Sequence, residues 1–215
     1  MSLENSNIHS KDKDGHEDGN RSLKMVAVAN VSEHRKTRGY SCTELVGRVL
    51  WGIVTPLFRY SPRLIYGWRN FLLRCLGAKI GKDVRIYPSV RIFVPWNLQV
   101  DDEVTIGNRV DIYNVGHIHI KSKSMISQNA HLCAGSHDHQ SAALELVRAP
   151  IMIEENVWVC ADAFIGPHVT VHRDAIVGAR SAVFRNVEES TIVGGNPAKF
   201  IKLRCDEDQN ARQIA

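Results

Sequence analysis

The fold of this chain is decided by a stretch that reads Ile153-Glu-Glu-Asn-Val-Trp-Val-Cys-Ala-Asp-Ala-Phe-Ile-Gly-Pro-His-Val-Thr-Val-His-Arg-Asp-Ala-Ile-Val177. An aliphatic residue stands at every sixth position, from Ile153 to Val177. A spacing of six does not match the helical period of about 3.6 residues, but it equals three periods of a β-strand. The pattern therefore predicts a chain that forms a short strand, turns and repeats.

The same spacing extends over most of the chain. A second set of small or β-branched residues lies four positions after the first, as at Val84 and Val157. Three six-residue units make one triangular turn of about 18 residues, and stacked turns bury a continuous apolar column. The sequence thus predicts an all-β solenoid, a parallel β-helix. The six-residue positions are Ile80, Ile86, Ile92, Leu98, Val100, Ile106, Ile112, Ile118, Ile120, Ile126, Leu132, Ile153, Val159, Ile165, Val171, Val177 and Val183.

Interruptions of the spacing indicate where the coil is irregular. The separation between Leu132 and Ile153 is not a multiple of six, so we expect residues 133–152 to leave the solenoid as one extruded loop. Inserted loops of solenoids gather on one face and commonly carry function. Steps of two residues, at 98–100 and 118–120, predict a bulge or an irregular coil.

The flanking segments differ in composition from the repeats. Residues 1–40 are polar and predict a disordered tail, residues 41–76 predict a helical cap, residues 77–204 form the solenoid, and residues 205–215 form a C-terminal tail. The five cysteines form no Cys-x-x-Cys pair, which favours reduced thiols in a cytoplasmic protein. The net charge of +4 favours no particular partner, and the basic residues are not interleaved with aromatics as in a nucleic-acid site.

Two helices are predicted in the cap. Ser41 or Thr43 is expected to cap the first helix, and the second is expected to run from Pro62 to Leu76. We expect the second helix to carry an apolar side and a basic side. The helices either cover the open first coil or present a basic, aromatic surface to a membrane, and the two roles are compatible. The apolar side would comprise Leu64, Ile65, Trp68, Phe71, Leu72 and Cys75, and the basic side Arg63, Arg69 and Arg74.

Ordered motifs within the repeats resemble a known family. Ile80-Gly-Lys-Asp-Val-Arg85 is similar to the hexapeptide repeat of the left-handed β-helix acyltransferases. The run Ser127-Gln-Asn-Ala-His-Leu-Cys-Ala-Gly-Ser-His-Asp138, followed by Asn156-Val-Trp-Val159 and Gly195-Asn-Pro-Ala-Lys199, resembles the maltose, galactoside and nodulation-factor acetyltransferases. The set looks most like the exopolysaccharide acetyltransferases of the colanic-acid type. The resemblance implies a left-handed coil and a homotrimer.

His137 is the candidate catalytic residue, because it stands where the six-residue spacing stops, at the start of the extruded loop. Transfer of an acyl group from a thioester to a sugar hydroxyl requires removal of the hydroxyl proton, and a neutral imidazole suits that task near neutral pH. The match to the family's motif implies that His137 is this general base. Asp138 or Glu145 is a candidate to orient the ring.

The resemblance also implies acetyl-CoA as the donor, bound in a groove between neighbouring subunits. Trp158 matches a family tryptophan beside the cofactor arm, and Ala161, Ala179 and Arg180 match positions along the pantetheine. We expect a basic end of the solenoid to suit the CoA phosphates. The residues of this basic end are Arg185, Lys199, Lys202 and Arg204.

The acceptor implied by the family is a small-molecule or lipid-linked sugar, with Tyr113 and Asn114 as candidates to contact it. Two other classes remain open. One is a zinc enzyme like the γ-class carbonic anhydrases, although the His-x4-His pair of that family is absent and no metal is expected. The other is a solenoid scaffold without catalysis. We expect a cytoplasmic enzyme of exopolysaccharide biosynthesis. The membrane role of the cap would place it at the periphery of the inner membrane.

Overall fold

The computed structural model describes residues 41–141 and 143–204, so both predicted tails, 1–40 and 205–215, lie outside the described residues. Helix α1 (Cys42–Arg59) begins at a capping box. The Oγ of Ser41 accepts the backbone N–H of Glu44 at 3.2 Å, and the Glu44 carboxylate accepts the N–H of Ser41 at 2.9 Å. Ser41, rather than Thr43, is therefore the N-cap, as this reciprocal pairing satisfies two helix-end donors.

Helix α2 (Tyr66–Cys75) is shorter than predicted, and only Leu72 of its predicted apolar side is buried. Trp68 and Phe71 are exposed, whereas Arg69 is fully buried. The Arg69 guanidinium donates to the carbonyl oxygens of Ile86, Pro62 and Arg63 and to the Ser61 Oγ. Burial is tolerable because these acceptors replace water. The assignment of Arg69 to an exposed basic side is wrong.

The body of the protein is a parallel β-helix, as predicted. Three sheets form the sides of a triangular prism, with only the last two strands of sheet B antiparallel to each other. Sheet A contains β1 (Lys79–Ile80), β4 (Leu98–Val100), β7 (Ile118–Ile120), β12 (Ile151–Ile153) and β15 (Thr170–Val171). Sheet B contains β2 (Arg85–Ile86), β5 (Thr105–Ile106), β8 (Met125–Ile126), β13 (Trp158–Val159), β16 (Ile176–Val177), β18 (Thr191–Gly194) and β19 (Lys199–Leu203). Sheet C contains β3 (Arg91–Ile92), β6 (Asp111–Tyr113), β9 (His131–Cys133), β14 (Phe164–Ile165) and β17 (Ala182–Val183).

The six-residue positions point into the prism. Ile106, Ile126, Val159 and Val177 are stacked on successive strands of sheet B, and all four are fully buried. Tight corners lie between the sheets, and at most of them a residue with positive φ, such as Asp174, immediately precedes a residue of the second set. The residue that follows each such turn is buried at the corner of the prism, as at Val104 and Ala175, and is small or β-branched.

The corner between sheets C and A, here named edge CA, is wider than the others. Ile80, Val100 and Ile120 stand above one another, so the first coils span twenty residues, not the predicted eighteen. The two extra residues lie in edge CA, where a short 3₁₀ helix, Pro95–Asn97, bridges β3 and β4. The predicted bulge is thus a widened corner. The corners from sheet A to B and from B to C are named edge AB and edge BC.

The extruded loop leaves from edge CA as an antiparallel hairpin of β10 (Gly135–His137) and β11 (Leu146–Arg148). Its base is closed by the carbonyl oxygen of Ala134, which accepts the N–H groups of Gly116 and Ala149 at 3.0 and 3.1 Å. Gly116 has no room for a side chain, because a Cβ there would lie 2.6–2.7 Å from the carbonyl oxygens of Ala134 and Ala149. The widened corner therefore supports the hairpin directly.

The cap helices pack on the first coils. Trp51 and Phe58 of α1 and Leu72 and Leu73 of α2 are buried in the same apolar cluster as the first strands. The indole of Trp51 donates to the Ile92 carbonyl oxygen at 2.8 Å. These contacts cover the apolar end of the solenoid, which stacking leaves open at its first coil.

Candidate active site

His137 lies at the end of strand β10, exposed on the hairpin. Its Nδ1 lies 2.7 Å from the carbonyl oxygen of Leu144, across the hairpin. A carbonyl oxygen can only accept, so the neutral ring donates from Nδ1 and carries its lone pair on Nε2. The acceptor at Nδ1 is a backbone carbonyl group, which leaves no side-chain signal in the sequence. The candidates predicted from sequence to orient the ring were Asp138 and Glu145.

The turn that presents Leu144 is held by local contacts. Leu144 has a positive φ of 47°, which is uncommon for a residue other than glycine, asparagine or aspartate. The N–H of Leu144 donates to the Ser141 carbonyl oxygen, and the N–H of Asp138 donates to the Glu145 carbonyl oxygen. A sparsely populated backbone conformation of this kind persists only where surrounding contacts hold it. Here it occurs at Leu144, whose carbonyl oxygen accepts the hydrogen bond from His137.

An ion pair joins the hairpin to the cap. The guanidinium of Arg148 on β11 contacts both carboxylate oxygens of Glu44 in α1, at 2.7 and 3.1 Å. The hydrogen bond from Arg148 holds the pKa of the Glu44 carboxyl below its ordinary value. Arg148 also lies opposite Gly135 in the hairpin, and Gly135 precedes His137 by two residues on β10. The pair therefore ties the strand opposite the candidate base to the first turn of α1.

The residues beneath the hairpin were candidates for an acceptor. Tyr113 is partly buried, and a Cβ built on Gly135 would lie 3.1 Å from its ring. Asn114 is fully buried. Its side chain accepts the N–H groups of Phe93 and Val94 and donates to the Val94 carbonyl oxygen. Asn114 therefore fixes edge CA, and the acceptor contact predicted for it stays a prediction.

The predicted donor residues lie mainly along edge BC. Trp158 projects outward from β13 with 44% of its surface exposed, and its Nε1 donates to the Ser127 Oγ at 2.9 Å. Ala161 and Ala179 stand on successive coils of the edge, because the N–H of Arg180 donates to the Ala161 carbonyl oxygen. Both side chains are small and reach the surface of the edge. The hydroxyl of Ser127 fixes the indole, and no sequence signal had marked it.

The predicted basic end is divided among several edges. Arg185 and Lys199 line one cavity of about 500 Å³ at the last coil. Lys202 lies opposite Ile192 in the terminal strand pair. The Arg204 guanidinium donates to the carbonyl oxygens of Asn156 and Asp174, which belong to edge AB. The structure therefore does not gather these four residues into one patch.

Cys160, His117 and His119 lie on the solenoid, outside the hairpin. Burial raises the pKa of the Cys160 thiol, which keeps it protonated and a poor nucleophile. Burial, with a smaller effect of His119, lowers the pKa of His117. His119 contacts the Asp101 carboxylate at 2.9 Å. Within residues 41–141 and 143–204, no group of three or more His, Cys, Asp or Glu side chains is arranged to hold a metal ion.

The chain is similar to named acetyltransferases. It is 43% identical over 158 residues to the Escherichia coli K12 protein WcaF, named as a colanic acid biosynthesis acetyltransferase, covering 74% of this chain and 87% of that protein. It is 23% identical over 145 residues to the galactoside O-acetyltransferase of the same organism, covering 66% of this chain and 71% of that protein.

Solved structures share the fold. A maltose O-acetyltransferase from Clostridium difficile 630 superposes with a TM-score of 0.71 at 23% identity, over 84% of this chain and all of that one. The hexapeptide-repeat acetyltransferase VCA0836 from Vibrio cholerae, solved with acetyl coenzyme A, gives 0.71 at 25% identity, over 78% of this chain and 92% of that one. No protein-family model matches the chain. The identity to WcaF, over most of its length, shows that the chain belongs to the hexapeptide-repeat acetyltransferases and is an enzyme of that family.

Proposed function

We propose that the protein transfers the acetyl group of acetyl-CoA to a hydroxyl of a sugar during exopolysaccharide biosynthesis. The 43% identity to a protein named for colanic acid biosynthesis supports the pathway class. The likeness to VCA0836, which was solved with acetyl coenzyme A, supports the donor. O-acetylation is supported by the maltose and galactoside O-acetyltransferases among the relatives and structural neighbours.

His137 acts as general base in this proposal. The acceptor oxygen attacks the thioester carbonyl carbon while Nε2 of the imidazole takes the hydroxyl proton. The tetrahedral intermediate then collapses, the carbon–sulfur bond breaks, and the imidazolium returns its proton to the departing CoA thiolate. The observation that carries the assignment is the contact of Nδ1 with the Leu144 carbonyl oxygen, because it sets the tautomer with the lone pair on Nε2.

The donor lies along edge BC in this proposal. The indole of Trp158, fixed by Ser127, flanks the pantetheine, and Ala161 and Ala179 let it approach the backbone. Arg180 lies on the same edge and is exposed to solvent. Arg185 and Lys199 flank the cavity at the last coil and suit CoA phosphates, whereas the carbonyl contacts of Arg204 favour a structural role.

A homotrimer explains how these parts meet. His137 projects from edge CA, and Trp158 and Ala161 belong to sheet B and edge BC, so sheet C separates base and donor within one chain. A ring in which edge BC of one subunit faces edge CA of the next would bring them together. Such a heterologous contact closes when the rotation is threefold. Each active site would then be shared by two subunits.

The acceptor is proposed to be a small-molecule or lipid-linked sugar that enters beneath the hairpin, beside Tyr113. We expect this step on the cytoplasmic side, with the cap in peripheral contact with the inner membrane. No helix among the described residues is long and apolar enough to cross a membrane.

Calorimetry of purified full-length protein with acetyl-CoA, together with its mass by light scattering, tests the proposal. We expect saturable binding of one acetyl-CoA per subunit by a trimer. Absence of binding by a folded protein would contradict the proposal. Bound zinc found by elemental analysis in that case would favour the carbonic-anhydrase class, and neither ligand would favour a scaffold.

A further inference from the structure

The two cap helices expose an unusual number of large apolar side chains. Each helix already buries one side on the solenoid, through residues such as Trp51, Phe58 and Leu73. The side that faces away, here named the cap outer face, is apolar as well, and Ile53 is 67% exposed at its centre. The cap outer face comprises Leu45, Val46, Val49, Leu50, Ile53, Leu57, Tyr60, Leu64, Ile65, Trp68 and Phe71.

This surface is contiguous along both helices. On α1, Val46, Val49, Leu50, Ile53 and Leu57 follow the spacing of three and four residues that aligns side chains on one face. Exposed apolar surface costs about 25 cal/mol for each Å² left in water, and patches larger than a few hundred Å² usually mark interaction sites. The cap outer face therefore has the character of an interaction surface.

A groove crosses the cap outer face between the helices. It has a volume of about 510 Å³ and is lined mostly by apolar side chains. The Trp68 indole closes one side and donates to the Leu57 carbonyl oxygen at 3.3 Å. Tyr60 lies beside it with an exposed ring. Aromatic side chains with one polar end are favoured where an apolar phase meets water.

The charges around this surface have one sign. Arg59, Arg63 and Arg74 of the cap are exposed. The Arg63 guanidinium donates to the Tyr87 hydroxyl, and that of Arg74 donates to the carbonyl oxygens of Ile80 and Gly81, so neither charge is neutralised by a carboxylate in these contacts. Glu44 is the only acidic residue between positions 41 and 76, and its carboxylate is already held by Arg148. Basic residues beside an apolar face complement an anionic lipid surface, whereas a second copy of the same face would bring like charges together.

We infer that the cap outer face docks on an anionic phospholipid bilayer, with α1 and α2 lying flat in the headgroup region. Amphipathic helices with basic and aromatic borders bind membranes in this way, without crossing them. Docking is independent of the proposed chemistry. Docking would hold the His137 hairpin next to a lipid-linked acceptor, because the Glu44–Arg148 contact joins the cap to the hairpin. This consequence rests on the proposed function.

Flotation of the full-length protein with vesicles tests the inference. One set of vesicles contains phosphatidylcholine alone, and the other has a third of it replaced by phosphatidylglycerol. We expect the protein to float with the anionic vesicles at least about tenfold more than with the neutral ones, and less at high salt. Arg59→Gln should weaken this binding about fivefold, since each basic residue near the surface contributes about that factor.

Two glutamate substitutions separate the cap outer face from other apolar surface. Ile53→Glu places a charge at its centre and should abolish flotation. The matched control is Leu203→Glu, because Leu203 is 60% exposed on the terminal strand, away from the cap, and its variant should float like wild type. Circular dichroism and thermal unfolding check the fold of each variant without relying on acetyl-CoA binding.

Three results would overturn the inference. The first is a full-length protein that stays unbound with either kind of vesicle. The second is flotation that Ile53→Glu and Arg59→Gln both leave unchanged. The third is a change of assembly mass in Ile53→Glu by light scattering, which would make the face a subunit interface. Salt dependence and Arg59→Gln remain decisive if Ile53→Glu fails to fold.

Discussion

Gly135→Ala should move the candidate base without altering its chemistry. Gly135 begins strand β10, two residues before His137, and its Cα lies against the widened corner below. A Cβ built there would approach the Cγ2 of Val115 to less than 3.0 Å and the Tyr113 ring to 3.1 Å. Carbon atoms ordinarily pack at about 3.5–4.0 Å, so the strand must shift by about 1 Å.

The size of the effect follows from that shift. Overpacking of this kind costs about 1–3 kcal/mol of unfolding free energy. A displacement of about 1 Å of a positioned catalytic group costs up to about a hundredfold in turnover. We therefore expect kcat to fall between tenfold and about a hundredfold. The affinity for acetyl-CoA should change less than kcat, because the donor contacts proposed along edge BC keep their own positions.

Steady-state CoA release with an acceptor sugar gives kcat, and urea unfolding gives stability. The double variant Gly135→Ala/Val115→Ala removes the Cγ2 that causes the clash, and it should recover most of the lost turnover. Gly52→Ala is the control, because a Cβ at Gly52 meets nothing within 4 Å. It should raise stability by about 1 kcal/mol at an unchanged kcat. An unchanged kcat in Gly135→Ala, or no recovery in a folded double variant, would refute the positioning argument.

Two further predictions concern the donor groove and the link to the cap. Trp158→Phe keeps an aromatic ring but loses the hydrogen bond to Ser127, so KM for acetyl-CoA should rise several-fold at similar kcat. If KM is unchanged both in Trp158→Phe and in Trp158→Ala, the donor groove proposed beside Trp158 is contradicted. A double-mutant cycle of Glu44→Gln and Arg148→Met should give a coupling of about 1 kcal/mol in unfolding free energy, because the pair is bidentate but partly exposed. Since the folded pKa of Glu44 is lowered, the coupling should be complete above its ordinary pKa of 4.5 and vanish as pH falls through the folded value. Coupling that persists in acid, or that is absent at neutral pH, would contradict the ion pair.

The solenoid was predictable from sequence because its information is local. Each inward-pointing position, such as Ile126 or Val177, needs a buried aliphatic side chain, and this need is set by the short strand and turn that contain it. The interruption after Leu132 likewise predicted an extruded loop, since a segment that leaves the coil need not keep its spacing. That the loop is a hairpin was not predicted. Neither inference needed knowledge of distant contacts.

Other features were not predictable, because they depend on partners far along the chain or on the backbone. The burial of Arg69 follows from carbonyl acceptors such as that of Ile86, which no composition shows. The Leu144 carbonyl oxygen carries no side-chain signature, although it sets the tautomer of His137. The basic residues near the C-terminus looked alike in sequence, but the return of β19 along β18 sends Arg204 to edge AB.

The central claim, that His137 is the base of a CoA-dependent O-acetyltransferase, is tested most directly by one comparison. Acetyl-CoA consumption with the best acceptor from a panel of sugars and lipid-linked glycans is measured for wild type and for His137→Ala, with acetyl-CoA affinity from calorimetry. We predict that kcat falls by about two to four orders of magnitude while the affinity for acetyl-CoA and the fold are retained. Near-normal turnover in the folded variant would contradict the account.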